Sequence, residues 1–131
     1  MKEPKRDNTL DNLVGYVAAR AQRVITRMQV RGFDPMVFEG KRSVQRQRWL
    51  YGQGRSKLQC MRAGISPAYS RPGSIVTKTL ASKHITGKAV DIISKSRLWN
   101  HPAFFAALKQ EAARENLHVL NFEQCHLEWR G

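Results

Sequence analysis

Acidic residues and cysteines are scarce in this sequence of 131 residues, and it has no long apolar run. The two cysteines, Cys60 and Cys125, are too few for a disulfide framework and are typical of a reducing compartment. Because no stretch reaches about eighteen apolar residues, we expect no integral membrane segment. The first residues also lack the apolar core of a secretory signal peptide, which predicts a product made and held in a cytoplasm.

The charge is strongly positive, with 23 Lys and Arg against 10 Asp and Glu and a formal net charge of +13. Nucleic acids and the anionic polymers of a bacterial envelope are the natural partners of such a surface. The basic residues are spread along the chain, without zinc-finger spacing or an RNA-binding aromatic motif, and charge alone does not choose between these two partners. A hydrophobic content of 41% predicts one globular domain over residues 1–131, and we expect a monomer.

Two metal-ligand residues lie seven positions apart in the middle of the chain. A neutral imidazole, from His84, and a carboxylate, from Asp91, suit a catalytic zinc, which usually takes three protein ligands and leaves one position open. Residues seven apart in an unbroken strand point to opposite faces, so the chain must turn between them. Gly87 can make that turn. The alternation after it predicts a strand from Lys88 to Ile93 that carries Asp91.

The C-terminal segment offers a third ligand, His126, and a carboxylate three residues before it, Glu123. Glu123 would then be free to act as general base on the attacking water and to deliver the proton to the leaving amine. This spacing places Glu123 in a loop or bulge and starts the strand at His126. A helix would put both side chains on one face, but the segment starts poorly as a helix. Cys125 is a possible soft ligand, although it would face away from His126 on a strand.

These residues resemble a known family. Ser-x-His-x-x-Gly-x-Ala-x-Asp, beginning at Ser82, followed by Glu-x-x-His, beginning at Glu123, is similar to the signature of the zinc peptidases that cut peptidoglycan stem peptides. These are D-alanyl-D-alanine carboxypeptidases and dipeptidases, and the L-alanyl-D-glutamate endopeptidases of phage endolysins. Further segments resemble the endolysin branch, so that the likeness spans roughly residues 33 to 129: Phe38 to Ser43, Leu50 to Ser56 and Pro72 to Thr77.

The resemblance implies one Zn²⁺ ion and an L-alanyl-D-glutamate endopeptidase that lyses the host of a phage or prophage. It would wait in the host cytoplasm until release and then act in the periplasm and cell wall, with stem peptides as substrate. Arg42 matches an arginine of the substrate cleft, where it would anchor a carboxylate or stabilise the oxyanion. Ser82 is a further substrate-binding candidate, or it holds the turn.

Two alternatives remain open. A D-alanyl-D-alanine carboxypeptidase would share every one of these residues. The chain could also be a basic module that binds wall polymer or nucleic acid, in which zinc is structural or a relic. Structural zinc sites are normally closed by four protein ligands, whereas only three convincing ones are present, which favours catalysis.

Periodicity predicts an α+β fold with two or three helices on a small, mostly antiparallel sheet that carries the zinc site. One helix would span residues 9 to 30, capped by Asn8. A second would span residues 43 to 53, capped by Ser43, with Val44, Trp49 and Leu50 buried. A third would run from His101 to about Glu115. Residues 57 to 70 are predicted to be an insertion relative to the family that the sequence resembles. We expect a long loop there, which either shapes substrate access or is a tolerated surface insertion.

Overall fold

A four-stranded antiparallel sheet with four α-helices forms the fold of the computed structural model, which describes residues 1–131. The helices are α1 (Gly15–Val30), α2 (Val44–Gly52), α3 (Lys57–Arg62) and α4 (Pro102–Arg114), and a short 3₁₀ helix spans Pro67–Tyr69. The strands are β1 (Pro35–Glu39), β2 (Ala89–Ser94), β3 (Leu117–Leu120) and β4 (Glu123–Trp129). The α+β prediction is confirmed, and the helix beyond the expected three is α3. No helix has the length and apolar character that crossing a membrane requires.

The strand order is β1-β2-β4-β3, so β2 and β4 occupy the centre. Every residue of β2 is buried, which suits a strand covered on both sides. In the register of β2 and β4, Val90 pairs with Leu127 and Asp91 pairs with His126. Because side chains alternate along a strand, the apolar pair and the polar pair lie on opposite faces of the sheet.

The apolar core lies where α1 and α4 pack together against the sheet. Its members come from α1, α4 and the two central strands, and the most deeply buried include Val24, Met28, Phe104, Leu108 and Ile92. Burial of each such side chain contributes about 1.5–3 kcal/mol. This core fixes the two strands that carry Asp91 and His126.

The helix predicted from residue 9 begins only at Gly15, and Asn8 does not cap it. Asp7 explains the difference, since its carboxylate accepts hydrogen bonds from Thr9 and from the side chain of Asn12. A local side-chain turn of this kind competes with helical hydrogen bonding. The backbone N–H of Val14 also donates a hydrogen bond to the carbonyl of Gly87.

Helix α2 has the predicted Ser43 cap, whose hydroxyl accepts from the backbone N–H of Arg46 at 3.0 Å. The prediction that Val44 is buried was wrong, because Val44 is 48% exposed. The helix instead buries the polar side chains of Arg46 and Gln47. Both find partners below the helix: Arg46 binds Glu39, and Gln47 binds Arg42.

Residues 57 to 70 are not the long loop that the sequence predicted. They form α3, with a capping box between Ser56 and Gln59, and then the 3₁₀ helix. Within this segment, Cys60 and Ile65 are buried. The segment packs closely against α2, because a Cβ at Gly52 would collide with the backbone carbonyl of Tyr69.

Candidate metal centre

His84, Asp91 and His126 come together on the sheet face opposite the main core. One nitrogen or oxygen atom from each lies within 4.8 Å of the others. All three residues are buried, with exposures of 1%, 8% and 4%. Asp91 and His126 are cross-strand partners on β2 and β4, whereas His84 reaches them from the turn before β2. The structure thus brings together the three predicted ligands.

The turn that delivers His84 depends on Gly87, as predicted. Gly87 has a φ of +73°, a conformation that glycine adopts at little steric cost. A Cβ at this position would also lie 3.1 Å from the backbone nitrogen of Val14. Ser82 closes the start of the turn, since its hydroxyl accepts from the backbone N–H of His84 at 3.2 Å. This hydrogen bond supports the interpretation that Ser82 holds the turn.

Backbone hydrogen bonding sets the orientation of the His84 ring. Nδ1 lies 2.8 Å from the carbonyl oxygen of Gly40. A carbonyl only accepts, so Nδ1 carries the proton and donates it. In a neutral ring Nε2 then holds a lone pair, and this atom lies 3.2 Å from Oδ1 of Asp91.

The ring of His126 is held in the same manner by a carboxylate. Nε2 donates to Oε1 of Glu128 at 2.9 Å, so the lone pair of the neutral ring belongs to Nδ1. Nδ1 is buried without a hydrogen-bond partner and lies 3.3 Å from Oδ1 of Asp91. Two nitrogen lone pairs and a carboxylate oxygen thus face one another, and only a cation among them, a proton or a metal ion, makes that arrangement favourable.

The donor set fits zinc. Two imidazole nitrogens and a carboxylate oxygen are typical ligands of a catalytic zinc site, and the outer N–H of each ring is fixed by an oxygen, as metal-binding histidines usually are. Burial acts to raise the pKa of Asp91, yet the adjacent imidazole rings of His126 and His84 hold that pKa well below its usual range. The carboxylate is therefore ionised and available as a ligand.

Glu123 lies beside the cluster of His84, Asp91 and His126 without joining it. Its Oε2 is 3.6 Å from Nδ1 of His126, and its side chain is 44% exposed. Burial, together with the negative charge of Asp91, raises the pKa of Glu123 above its usual value. A raised pKa makes a carboxylate a stronger base, which suits it to take a proton from water and return it later.

The prediction that the strand begins at His126 was wrong, because β4 already begins at Glu123. The predicted irregularity is nevertheless present. Val119 pairs with Leu127 but the next residue, Leu120, pairs with Glu123, so β4 has extra residues at this point. This bulge cancels the strand alternation, which would otherwise send Glu123 and His126 to opposite faces.

Arg42 lies at the edge of the cluster, with Nη2 at 3.9 Å from Oδ2 of Asp91. Its two terminal nitrogens donate to Oε1 of Glu39 and to Oε1 of Gln47, each at 2.8 Å. The Nε atom is buried without a partner. The guanidinium is thus held rigidly next to the cluster by protein acceptors.

Cys125 does not join the metal ligands. Burial raises the pKa of its thiol to about 12, whereas the sulfur must lose its proton to bind zinc. The side chain packs against the apolar core instead. The alternation argument from the sequence is confirmed for this residue.

The comparison with protein families bears directly on this cluster. The model of the VanY family, described as D-alanyl-D-alanine carboxypeptidase, matches residues 11–129. This chain belongs to the VanY family. Membership confirms the predicted class, a zinc-dependent peptidase of peptidoglycan, and the match contains every candidate site residue. No curated protein matches the sequence significantly.

Solved structures that share this fold include the following three. VanYB in complex with D-alanine-D-alanine has 15% identity and a TM-score of 0.64, covering 100% of this chain and 81% of that one. The L-Ala D-Glu endopeptidase ChiX of Serratia marcescens has 23% identity and a TM-score of 0.53, covering 92% and 82%. The LD-carboxypeptidase LdcB has 18% identity and a TM-score of 0.64, covering 98% and 64%. At these identities the likeness shows a shared fold.

The sequence reasoning missed the side chains that hold the VanY-type cluster in place. Glu128 fixes His126, while Glu39 and Gln47 fix Arg42. Glu128 could have been found, since it lies two residues after His126 and thus on the same face of a strand. The carbonyl of Gly40, which orients His84, leaves no signal in the sequence because every residue has one.

Proposed function

We propose that this chain is a zinc peptidase that cleaves peptidoglycan stem peptides at the L-alanyl-D-glutamate bond. The observation that carries the proposal is the buried cluster of His84, Asp91 and His126, whose inner atoms all accept rather than donate, with the Glu123 carboxylate beside it. A site of three protein ligands leaves room for catalysis, whereas structural zinc is usually enclosed by four.

Each residue then has a role that follows from its surroundings. His84, Asp91 and His126 would hold the ion, and a zinc ion held there would polarise a carbonyl and make water more acidic. Glu123 would take the proton from the attacking water and pass it to the leaving amine. Arg42, fixed by Glu39 and Gln47, would present positive charge to a substrate carboxylate or to the developing oxyanion. Ser82 remains a substrate-binding candidate besides its contact with the turn.

The proposed bond rests on the resemblance of the upstream segments, residues 38 to 43 and 50 to 56, to the endolysin branch. Consistent with this choice, the neighbour ChiX is an L-Ala D-Glu endopeptidase. From the same resemblance we propose a role in host lysis by a phage or prophage, with release from the host cytoplasm to the cell wall. Anionic envelope polymers would retain the cationic chain there.

A second candidate is a D-alanyl-D-alanine carboxypeptidase. The family description favours it directly, and the neighbour VanYB was solved with D-alanine-D-alanine. The two candidates differ in the product: an endopeptidase leaves a new L-alanine C-terminus, whereas a carboxypeptidase releases free D-alanine. The products therefore separate them without any change to the protein.

The test is mass spectrometry of purified peptidoglycan digested by the zinc-loaded chain. We expect new L-alanine C-termini paired with D-glutamate N-termini. Release of terminal D-alanine alone would replace our bond assignment with the carboxypeptidase. If the zinc-loaded chain cleaves nothing, the enzyme proposal fails and the binding-module alternative takes its place.

Two controls tie any cleavage to the cluster. A chelated sample should lose activity and regain it when zinc is returned. Glu123→Gln should bind zinc like the wild type but cleave about 10²–10⁴-fold more slowly, as expected when a general base is removed. The neighbouring substitution Gln124→Ala, at an exposed position of the same strand, should cleave at the wild-type rate.

A further inference from the structure

Charge is distributed very unevenly along the chain. From residue 40 to residue 90 there are eleven Lys and Arg and no Asp or Glu at all. Only two of these eleven form ion pairs with a carboxylate, Arg42 and Arg46. The other nine form no ion pair with a carboxylate of the protein.

Two of these nine residues, Arg55 and Arg71, are held next to each other. Residues 53 to 55 run beside Arg71, with isolated β-bridges from Arg71 to Gln53 and to Arg55. The guanidinium of Arg71 lies 3.4 Å from the centre of the Trp49 ring, and that of Arg55 lies 3.7 Å from the centre of the Tyr51 ring. Each cation is therefore supported from one side by an aromatic face.

Backbone carbonyls fix the same two guanidinium groups. Nη1 of Arg55 donates to the carbonyl oxygens of Tyr51 and Thr77, at 2.6 and 3.0 Å. Arg71 donates to the carbonyl of Trp49 and, at 3.2 Å, to Oε1 of Gln53. Nε and Nη2 of Arg55 and Nε of Arg71 make no hydrogen bond within the protein, so donors remain free on both residues.

An open cavity of about 420 Å³ lies between these groups. No hydrophobic side chain lines it, and the backbone N–H of Gly73 in its wall makes no hydrogen bond within the protein. The lining residues are Gly54, Arg55, Ser70, Arg71, Pro72 and Gly73. Two rigid guanidinium groups and a free backbone N–H around a polar cavity are what an oxyanion requires.

The structural arginines of this protein provide a contrast. Arg27 and Arg46 bind glutamates, and their pKa is raised even though burial acts to lower it. For Arg71 burial lowers the pKa, and the charge of Glu3 restores it only in part. A cation placed where it is partly dehydrated and has no carboxylate partner is stabilised by an anion from outside.

We propose that Arg55 and Arg71 form a binding site for an oxyanion, a carboxylate or phosphate group, carried by the cell-wall polymer. The assignment of this polymer to the cell wall rests on the proposed function. The site connects to the metal centre through the backbone of residues 77 to 79: Arg55 binds the Thr77 carbonyl, and Gln47 binds both the Thr79 carbonyl and Arg42.

The first experiment is an NMR titration of the zinc-loaded chain with inorganic phosphate. We expect the side-chain Nε–H signals of Arg55 and Arg71 to move together and to saturate, and the imidazole signals of His84 report separately on phosphate at the metal. Arg55→Gln and Arg71→Gln should each weaken binding at least tenfold, while Arg62→Gln, an exposed site with the same loss of charge, should not. If the Arg55 and Arg71 signals do not move, or move without saturating, the proposed site is wrong. This titration uses the wild type, so the result does not depend on whether a variant folds.

The second experiment identifies the source of the anion by cosedimentation with cell-wall sacculi. Sacculi stripped of phosphate-containing polymers test the phosphate, and sacculi with amidated carboxyl groups test the carboxylate. We expect one of the two treatments to remove the part of the binding that depends on Arg55 and Arg71. If sacculi bind equally with and without these arginines, or if only duplex DNA binding depends on them, the cell-wall assignment is wrong. Neither experiment requires turnover, so both stand whether or not the chain cleaves the proposed bond.

Discussion

The carboxylate of Glu128 lies 2.9 Å from Nε2 of His126, two residues earlier on β4. It also accepts from Nε of Arg130 at 2.9 Å. Burial acts to raise the pKa of Glu128, yet the hydrogen bonds from Arg130 and His126 lower it overall. Glu128 is therefore an ionised carboxylate that fixes which nitrogen of His126 faces Asp91.

Replacing Glu128 by alanine should weaken zinc binding by about 10- to 100-fold, the usual cost of losing such an outer partner of a metal ligand. The His126 ring would be free to rotate and to change tautomer. Competition with a fluorescent zinc chelator measures the affinity, and Gln124→Ala on the same strand serves as the control. Unchanged affinity in the Glu128 variant would show that the ring is held by other contacts.

Glu39→Ala should lower the free energy of unfolding by about 3–5 kcal/mol, because removing one partner of a buried ion pair leaves charge uncompensated. Glu39 is 1% exposed and binds two arginines, Arg46 at 2.6 Å and Arg42 at 2.8 Å. Urea unfolding followed by circular dichroism gives the value. Gln45→Ala, at an exposed position of α2, should change it little; a Glu39 loss below about 1 kcal/mol would contradict the role of this pair.

Gly52→Ala should destabilise the protein by about 1–3 kcal/mol, as overpacking of a close contact does. The added Cβ would collide with the carbonyl of Tyr69. The carbonyl of Gly52 also accepts from the backbone N–H groups of Arg55 and Arg71, so the change should loosen residues 57 to 70. Limited proteolysis should cut that segment faster in the variant, and Gly15→Ala, where a Cβ meets nothing, should match the wild type.

Stability should fall with acid in a manner that depends on Glu111. The hydrogen bond from Arg27 lowers the pKa of Glu111, against the effect of burial, and the hydrogen bond from Arg23 does the same for Glu115. A glutamate in the unfolded chain titrates at about pH 4.3. The stabilisation is therefore complete above that pH and is lost as the pH falls through the lower folded values.

Thermal unfolding of the wild type and of Glu111→Gln between about pH 7 and pH 3 checks this expectation. The variant should be less stable at neutral pH and should lose less stability on acidification, so the two curves converge. Asp11→Asn removes an exposed acid, and its curve should run parallel to that of the wild type. Parallel curves for Glu111→Gln would show that the Arg27 contact does not govern the acid response.

Local pattern was enough to predict most elements and the three residues that form the candidate metal site. The β-branched alternation around Asp91 and the glycine at position 87 are local features, and the structure shows the strand and the turn there. Predictions failed where a contact from elsewhere decided. Val44 is exposed because Arg46 donates a hydrogen bond to the buried Glu39, which places Arg46 on the inner side of α2. Residues 57 to 70 form helices because they can pack on α2 at Gly52.

The sequence by itself determined which atoms can bind a metal, because ligand chemistry belongs to the residue type and its spacing to a local motif. Only the tertiary structure decided how those atoms are oriented. The pairing of β2 with β4, the Gly40 carbonyl and the Glu128 carboxylate turn two imidazole lone pairs toward one carboxylate oxygen. Likewise, the sequence shows that Arg55 and Arg71 are positively charged. Their side chains line the same cavity only because residues 53 to 55 pair with residue 71 in the folded protein. Hydrogen bonds between residues far apart in the chain have no local pattern, so folding alone establishes them.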